Sequence, residues 1–209
     1  MLCMGLRRCH RAAKRRLIEI SVDKAVGQMC NARILDLACG RGGDLPKCLG
    51  CAKYTGVDTA ADALAELHRR AEEMSMLVST IHGDASQVVI TNEYDLVMCN
   101  FALHYFCDTK EHCHCLVRAA AKSLKYGGVW CGTYQRWPTK PRWGEQHHVK
   151  MGDCVDAIEW KVPWPEIQKE ALHNDMALVM HQPLCTLHPG ADSSIWFFIT
   201  QKQAQRCGS

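Results

Sequence analysis

Ile34-Leu35-Asp36-Leu37-Ala38-Cys39-Gly40-Arg41-Gly42-Gly43-Asp44-Leu45 is an apolar run that breaks into glycines. The first part reads as a buried β-strand, Arg33–Leu37. Gly40, Gly42 and Gly43 then form a turn whose backbone can come close to a ligand, because glycine takes dihedrals closed to other residues. In an open α/β sheet, ligands sit at the carboxyl ends of strands, which is where this turn falls. The spacing is D-x-A-x-G-x-G-G, not the G-x-G-x-x-G of a dinucleotide site.

Outward from this turn, strand and helix patterns alternate. A mixed basic and apolar helix is predicted over 6–28. A short helix starts at Asp44 and meets Pro46, tolerable in a first turn. Strand Lys53–Asp58 is followed by a helix over 59–75, with Thr59 as its cap and Ala63, Leu64, Leu67 and Ala71 on one face. A third strand spans 79–84 and a fourth Tyr94–Asn100. A helix over 109–125, ended by Gly127-Gly128, leads to a fifth strand over 129–135. Residues 136–152 read as loop, 163–175 as a helix, and 177–182 and 194–200 as two closing strands in a hairpin. The expected fold is α/β: a mostly parallel central sheet, helices on both faces and a closing antiparallel hairpin. One domain is expected over 1–209, with a basic helical arm (1–30), a cofactor-binding core (31–135) and a pocket-forming, sheet-closing segment (136–209).

Composition narrows the class. Of 209 residues, 47% are apolar, enough for a core. No run approaches the ~20 apolar residues of a membrane-spanning helix, so no membrane partner is expected. Arg7, Arg8, Arg11, Lys14, Arg15 and Arg16 crowd an N-terminal stretch with no acid before Glu19. Such an arm suits a phosphate-bearing partner, or is a solvated helix face. Fourteen cysteines scattered through a full-sized core read as reduced thiols, and a cytoplasmic or nuclear setting is expected. Cys48 and Cys51, or His112-Cys113-His114-Cys115, could ligate zinc. They match no standard finger, and no metal is expected.

Acids close three successive strands: Asp36, Asp58 and Asp84. Asp58 can accept from both hydroxyls of a ribose, and Asp84 can reach an adenine amino group. Asn100-Phe101-Ala102-Leu103-His104-Tyr105 follows the fourth strand and so lies over the same end of the sheet. An ordinary βα loop needs no His beside Tyr.

LDLACGRGGDL, GVD and NFALHY together resemble the mRNA cap guanine-N7 methyltransferases, whose motifs read LDLGCGKGGDL and QFALHY. His10-Arg11-Ala12-Ala13-Lys14 is similar to the family's N-terminal helix, where two asparagines precede a cofactor-binding lysine. Val155-Asp156-Ala157-Ile158-Glu159-Trp160 resembles the segment that carries its guanine-binding glutamate. The resemblance implies a Rossmann-like fold and transfer of a methyl from S-adenosylmethionine to N7 of the cap guanine, leaving S-adenosylhomocysteine. It implies 5′-capped RNA as substrate, and other capping enzymes or a parent polyprotein, such as a viral one, as associates. By the same resemblance Lys14, Asp36, Ala38, Gly40, Asp58, Asp84, Asn100 and Tyr105 would bind the cofactor. Arg41, Lys47 and Arg70 would meet the cap phosphates. His104, Glu159 and Trp196, with Arg11 behind them, would hold the cap guanosine. Ala38 stands where the motif has glycine, Asn100 where it has glutamine, His10 and Arg11 where it has asparagines, and Trp196 where it has tyrosine.

N7 of guanine is a neutral nucleophile, so no acid/base residue is expected, only positioning by His104, Tyr105 and Glu159. Two other readings share the fold: methylation of a small molecule or another RNA position, and a non-catalytic RNA-binding module.

Overall fold

The computed structural model describes residues 2–151 and 155–204. A long helix, Leu2–Val26 (α1), precedes strand Arg33–Leu37 (β1). Then come Lys53–Asp58 (β2), helix Ala61–Glu73 (α2), Ser79–His82 (β3) and Tyr94–Asn100 (β4). Helix Lys110–Ser123 (α3) and strand Leu124–Gln135 (β5) follow. The chain continues through Gln146–Met151 (β6), Val155–Trp160 (β7), helix Trp164–His173 (α4), Met176–Pro183 (β8) and Ile195–Lys202 (β9).

Seven strands form one sheet in the order β3-β2-β1-β4-β5-β9-β8. The first five are parallel. β9 runs antiparallel to β5, and β8 antiparallel to β9, as the expected closing hairpin. The strands are apolar on both faces because both are covered. Leu35, Leu37, Val97 and Trp130 pack with Leu116 of α3 and Ile167 of α4. Ile34, Leu96, Met98 and Val129 pack with Leu17 and Ile18 of α1 and Leu67 of α2. The arm is thus no appendage: Ala13, Leu17, Ile18 and Val22 seat it on the sheet while its arginines face out.

Three local expectations change. Thr59 does not cap α2; Ala60 stands at the N-cap with no side-chain cap bond, and the Asp58 carboxylate accepts from the Ala60 amide at 2.9 Å. α3 stops at Ser123, and Leu124 turns directly into β5, so Gly127 and Gly128 lie within a long strand. Opposite this stretch the β4–β5 register shifts between Tyr94 and Leu96. The region expected as loop contains β6. It pairs with β7 in a separate two-stranded sheet, with His147 opposite Glu159.

Candidate active site

Order reverses at β1: β2 lies on one side and β4 on the other, so the loops leaving both open a crevice. Below it the backbone is left-handed at Ala38 (φ 56°), Gly40 (51°) and Gly42 (69°). At Gly42 a Cβ would come within 2.7 Å of Leu45 Cδ1 and 3.0 Å of Leu67 Cγ, and the left-handed φ itself favours glycine. Ala38 carries a Cβ where that conformation costs a non-glycine residue about 1–2 kcal/mol.

A cavity of about 690 Å³ fills the crevice, within the range of small-molecule sites. Ala38, Gly40, Asp58, Asp84, Asn100 and Tyr105 all line it, drawn from the ends of four strands. Asp58 fixes the turn: its Oδ2 accepts from the Gly40 amide at 2.7 Å. Asp84 caps the following turn through the Ser86 amide at 2.8 Å.

Beneath the cavity floor lies a buried polar cluster centred on Asp44. Its carboxylate accepts from Lys14 Nζ at 2.6 Å, Lys47 Nζ at 2.7 Å and Asn100 Nδ2 at 3.0 Å. Burial opposes its charge, but the two ammoniums outweigh burial and hold it below the usual carboxylate range. Asn100 spends its amide here, and its Oδ1 is left buried with no donor among the described residues. Lys14 also stands 5.5 Å over the Phe101 ring. Asp36, by contrast, does not line the cavity. It is buried against Tyr54, whose hydroxyl donates to it at 2.6 Å, and burial, with Asp44 nearby, pushes its pKa up to about 7.

At the crevice rim, Leu103–Phe106 forms a short 3-10 turn. Thr133 of β5 pins its approach by accepting from the Phe101 amide at 3.0 Å, and Gly144 N bonds Cys107 O at 3.0 Å just beyond it. The second bond ties the segment entering β6 to this turn. As a result His104 Nε2 lies 3.4 Å from Glu159 Oε1. Burial, with His147 adding to it, lowers the His104 pKa to about 4; burial raises that of Glu159. At neutral pH His104 is therefore a neutral imidazole. Tyr105 packs against His104, ring centroids 4.1 Å apart and planes tilted by 57°, and lines the cavity. Burial raises its pKa, and the Glu159 and Asp58 carboxylates raise it further.

The remaining expected residues separate. Trp196 lies under the Arg136 guanidinium at 3.9 Å and 4.7 Å from the His181 ring, in an aromatic layer of its own. Arg41 lines the cavity and pairs with Asp62 at 3.1 Å. Arg11 does not stand behind His104. It lines a second cavity with Lys47 and Arg70, and its neighbour His10 faces Phe101 instead. Lys47 is not free for a phosphate: it is buried, bonding Gly43 O at 2.8 Å as well as Asp44.

His112 belongs to the site although sequence suggested only zinc for it. It lines the cavity, with Nδ1 2.7 Å from Asp108 and Nε2 3.3 Å from Asp84. Cys48 and Cys113 are buried, and among the described residues no group of three or more His, Cys, Asp or Glu is arranged to hold a metal ion.

Residues 3–136 match the family model described as the mRNA (guanine-N(7))-methyltransferase domain. Among curated proteins, the mRNA cap guanine-N(7) methyltransferase of Saccharomyces cerevisiae is 32% identical over 53% of this chain and 32% of its own. Those of Candida glabrata and Schizosaccharomyces pombe are 28% and 31% identical, each over 72% of this chain and 49% and 54% of theirs. The chain thus spans about half, or less, of the length of these relatives. Among solved structures, an S-adenosylmethionine-dependent methyltransferase from Clostridium acetobutylicum superposes with TM-score 0.70 at 15% identity, covering 93% of this chain and 92% of that one. A glycopeptide N-methyltransferase complexed with S-adenosylhomocysteine gives TM-score 0.69 at 13% identity over 91% and 89%. The fold is therefore the Rossmann-like methyltransferase fold.

Proposed function

The chain belongs to the mRNA (guanine-N7)-methyltransferase family, and from that premise we propose that it methylates N7 of the guanine of capped RNA, GpppN, using S-adenosylmethionine. The observation that carries this reading is the His104–Glu159 contact at the rim of the glycine-turn cavity, made by residues far apart in sequence.

The cavity suits S-adenosylmethionine. It offers Asp58 and Asp84 for hydroxyl and amino groups, and Asn100 Oδ1 is a buried acceptor in need of a donor. An orphaned buried acceptor costs about 1–3 kcal/mol, which a bound ammonium or amide would recover. Bound there, the sulfonium supplies an electrophilic methyl group.

The protein's own part is to hold a base. Guanine N7 has a free lone pair and no proton to lose, so no general base is required. Rate comes from alignment, which can be worth about 7–11 kcal/mol in favourable cases. Glu159 accepts from the N–H groups of the guanine Watson–Crick edge, and its charge stabilises the positive charge that develops on the ring. His104, kept neutral, can donate to O6 without placing a second cation beside that ring. Tyr105 packs between base and cofactor sites.

Incubation with GpppA-capped RNA and methyl-labelled S-adenosylmethionine, with product mapped to N7, tests the assignment. Glu159→Ala and His104→Ala should each lose about 100-fold or more in turnover, the scale of removing one transition-state contact. Both should still bind S-adenosylmethionine by calorimetry. Transfer only to uncapped acceptors, or near-normal turnover in both variants, would overturn it.

A further inference from the structure

The glycine turn has two sides. Gly40 and Arg41 face the first cavity; Gly42 and Gly43 line a second one of about 550 Å³ between α1 and α2. Its walls carry Arg11 and Arg15 from α1, Lys47 from the turn, and Arg69 and Arg70 from α2, against one acid, Glu73.

These cations are not equivalent. Lys47 is held by Asp44 and Gly43 O. Arg69 pairs with Glu66 at 2.7 Å and with Glu73, and Arg70 pairs with Glu66 at 2.7 Å. Among the described residues, Arg15 bonds only the Pro46 carbonyl, at 3.5 Å. Among the described residues, no carboxylate pairs with Arg11 or Arg15. Both are exposed, one turn apart on the same face of α1. Arg7 and Arg8 lie exposed on the preceding turns of the same helix, and no acid precedes Glu19. A rigid helix packed on the sheet by Leu17 and Ile18 thus presents uncompensated guanidiniums to an open cleft. Guanidinium is the group best matched to phosphate oxygens.

We propose that the α1–α2 cleft holds the phosphodiester backbone of the RNA strand downstream of the cap, gripped chiefly by Arg11 and Arg15. The proposal rests on the capped-RNA reading of the first cavity. Because one glycine turn borders both cavities, a single molecule with its base in the first can run over the turn into the second. Cap triphosphate and strand share phosphate chemistry, so the test must separate them.

Two measurements on the full chain do so. The affinity of a fluorescent capped RNA of about ten nucleotides is followed by anisotropy from 50 to 200 mM KCl. Each single-strand phosphate contact contributes about 0.7 to the slope of log affinity against log salt, so the Arg11→Gln/Arg15→Gln double variant should lose about 1.4 of slope. The ratio of KM for the GpppG dinucleotide to KM for the same capped RNA should be well above one in the native chain. It should collapse toward one in the variant. Arg11→Lys/Arg15→Lys should restore the slope, which a folding defect would not allow. An unchanged slope overturns the proposal. So does a KM that rises equally for dinucleotide and RNA, which would assign the cleft to the triphosphate. If no capped acceptor is methylated at all, the functional reading falls while the salt slope still decides the cleft.

Discussion

Glu159 and His104 sit 3.4 Å apart, and burial disfavours the charged form of each: the acid's pKa goes up, the imidazole's down to about 4. The sign of the resulting pH dependence is fixed. Glu159 accepts guanine N–H groups only when ionised. With its pKa raised, protonation on acidification begins at higher pH than for a surface glutamate near ~4.3. His104 stays neutral until about pH 4 and so adds nothing to that loss. We expect kcat/KM for capped RNA to fall on acidification, along a limb that begins at higher pH than a surface glutamate would give and that Glu159→Gln removes while lowering the plateau. A Glu159→Gln enzyme that keeps the native acid limb, with circular dichroism showing equal folding, would refute the role. At this same scale the sequence misleads in one instructive way. Asp36, Asp58 and Asp84 look alike as strand-terminal acids, yet Asp36 lies one residue inside β1 and turns to Tyr54 in the interior. The difference is a single step of strand alternation, which no motif spacing displays.

At the scale of elements, what positions Glu159 is the β6–β7 hairpin. His147 pairs with Glu159, and Lys161 closes the hairpin base on Glu145 through a backbone bond of 2.8 Å and an ion pair of 2.6 Å. A one-residue slip would turn Glu159 to the opposite face. Among the described residues, none of the hairpin lines the cofactor cavity. Val149→Pro, in mid-strand opposite Ala157, should therefore cut turnover on capped RNA more than tenfold yet leave S-adenosylmethionine affinity within about twofold. Equal losses in both would mean the hairpin supports the whole site instead. This hairpin is also where sequence was least legible. Gln146-His147-His148-Val149 has no apolar alternation, because the strand is held by one partner and covers no core. β1, β2 and β4 were legible to the residue, since burial on both faces leaves short apolar cores such as Ile34-Leu35 and Leu96-Val97-Met98, with a polar residue closing β2 and β4 at Asp58 and Asn100. The end of α3 was not: Gly127-Gly128 carries a helix-stop signal, but the chain had already turned extended at Leu124.

At the scale of the molecule, the cavity is a junction of the parallel half of the sheet. Gly40 follows β1, Asp58 ends β2, Asp84 follows β3, and Asn100 ends β4; all four line one space. Any occupant touching all four loops must tie those strands together, so binding has to appear as global stability. A ligand at 100 times its Kd adds about 2.7 kcal/mol to the folded state. For a chain of this size each kcal/mol moves Tm by about 2–4 °C, so saturating S-adenosylhomocysteine should raise Tm by roughly 5–11 °C. The two ends of the site should then separate. Glu159→Ala leaves the four loops intact and should keep the shift. Asp58→Ala removes the acceptor that holds the Gly40 and Ala60 amides and should abolish it, with Asp58→Asn retaining part, since one carbonyl oxygen still accepts. Native-like circular dichroism in the Asp58 variants excludes simple unfolding. A full shift in Asp58→Ala, or none in the native chain, would mean that the crevice at the β1–β4 reversal does not hold this cofactor.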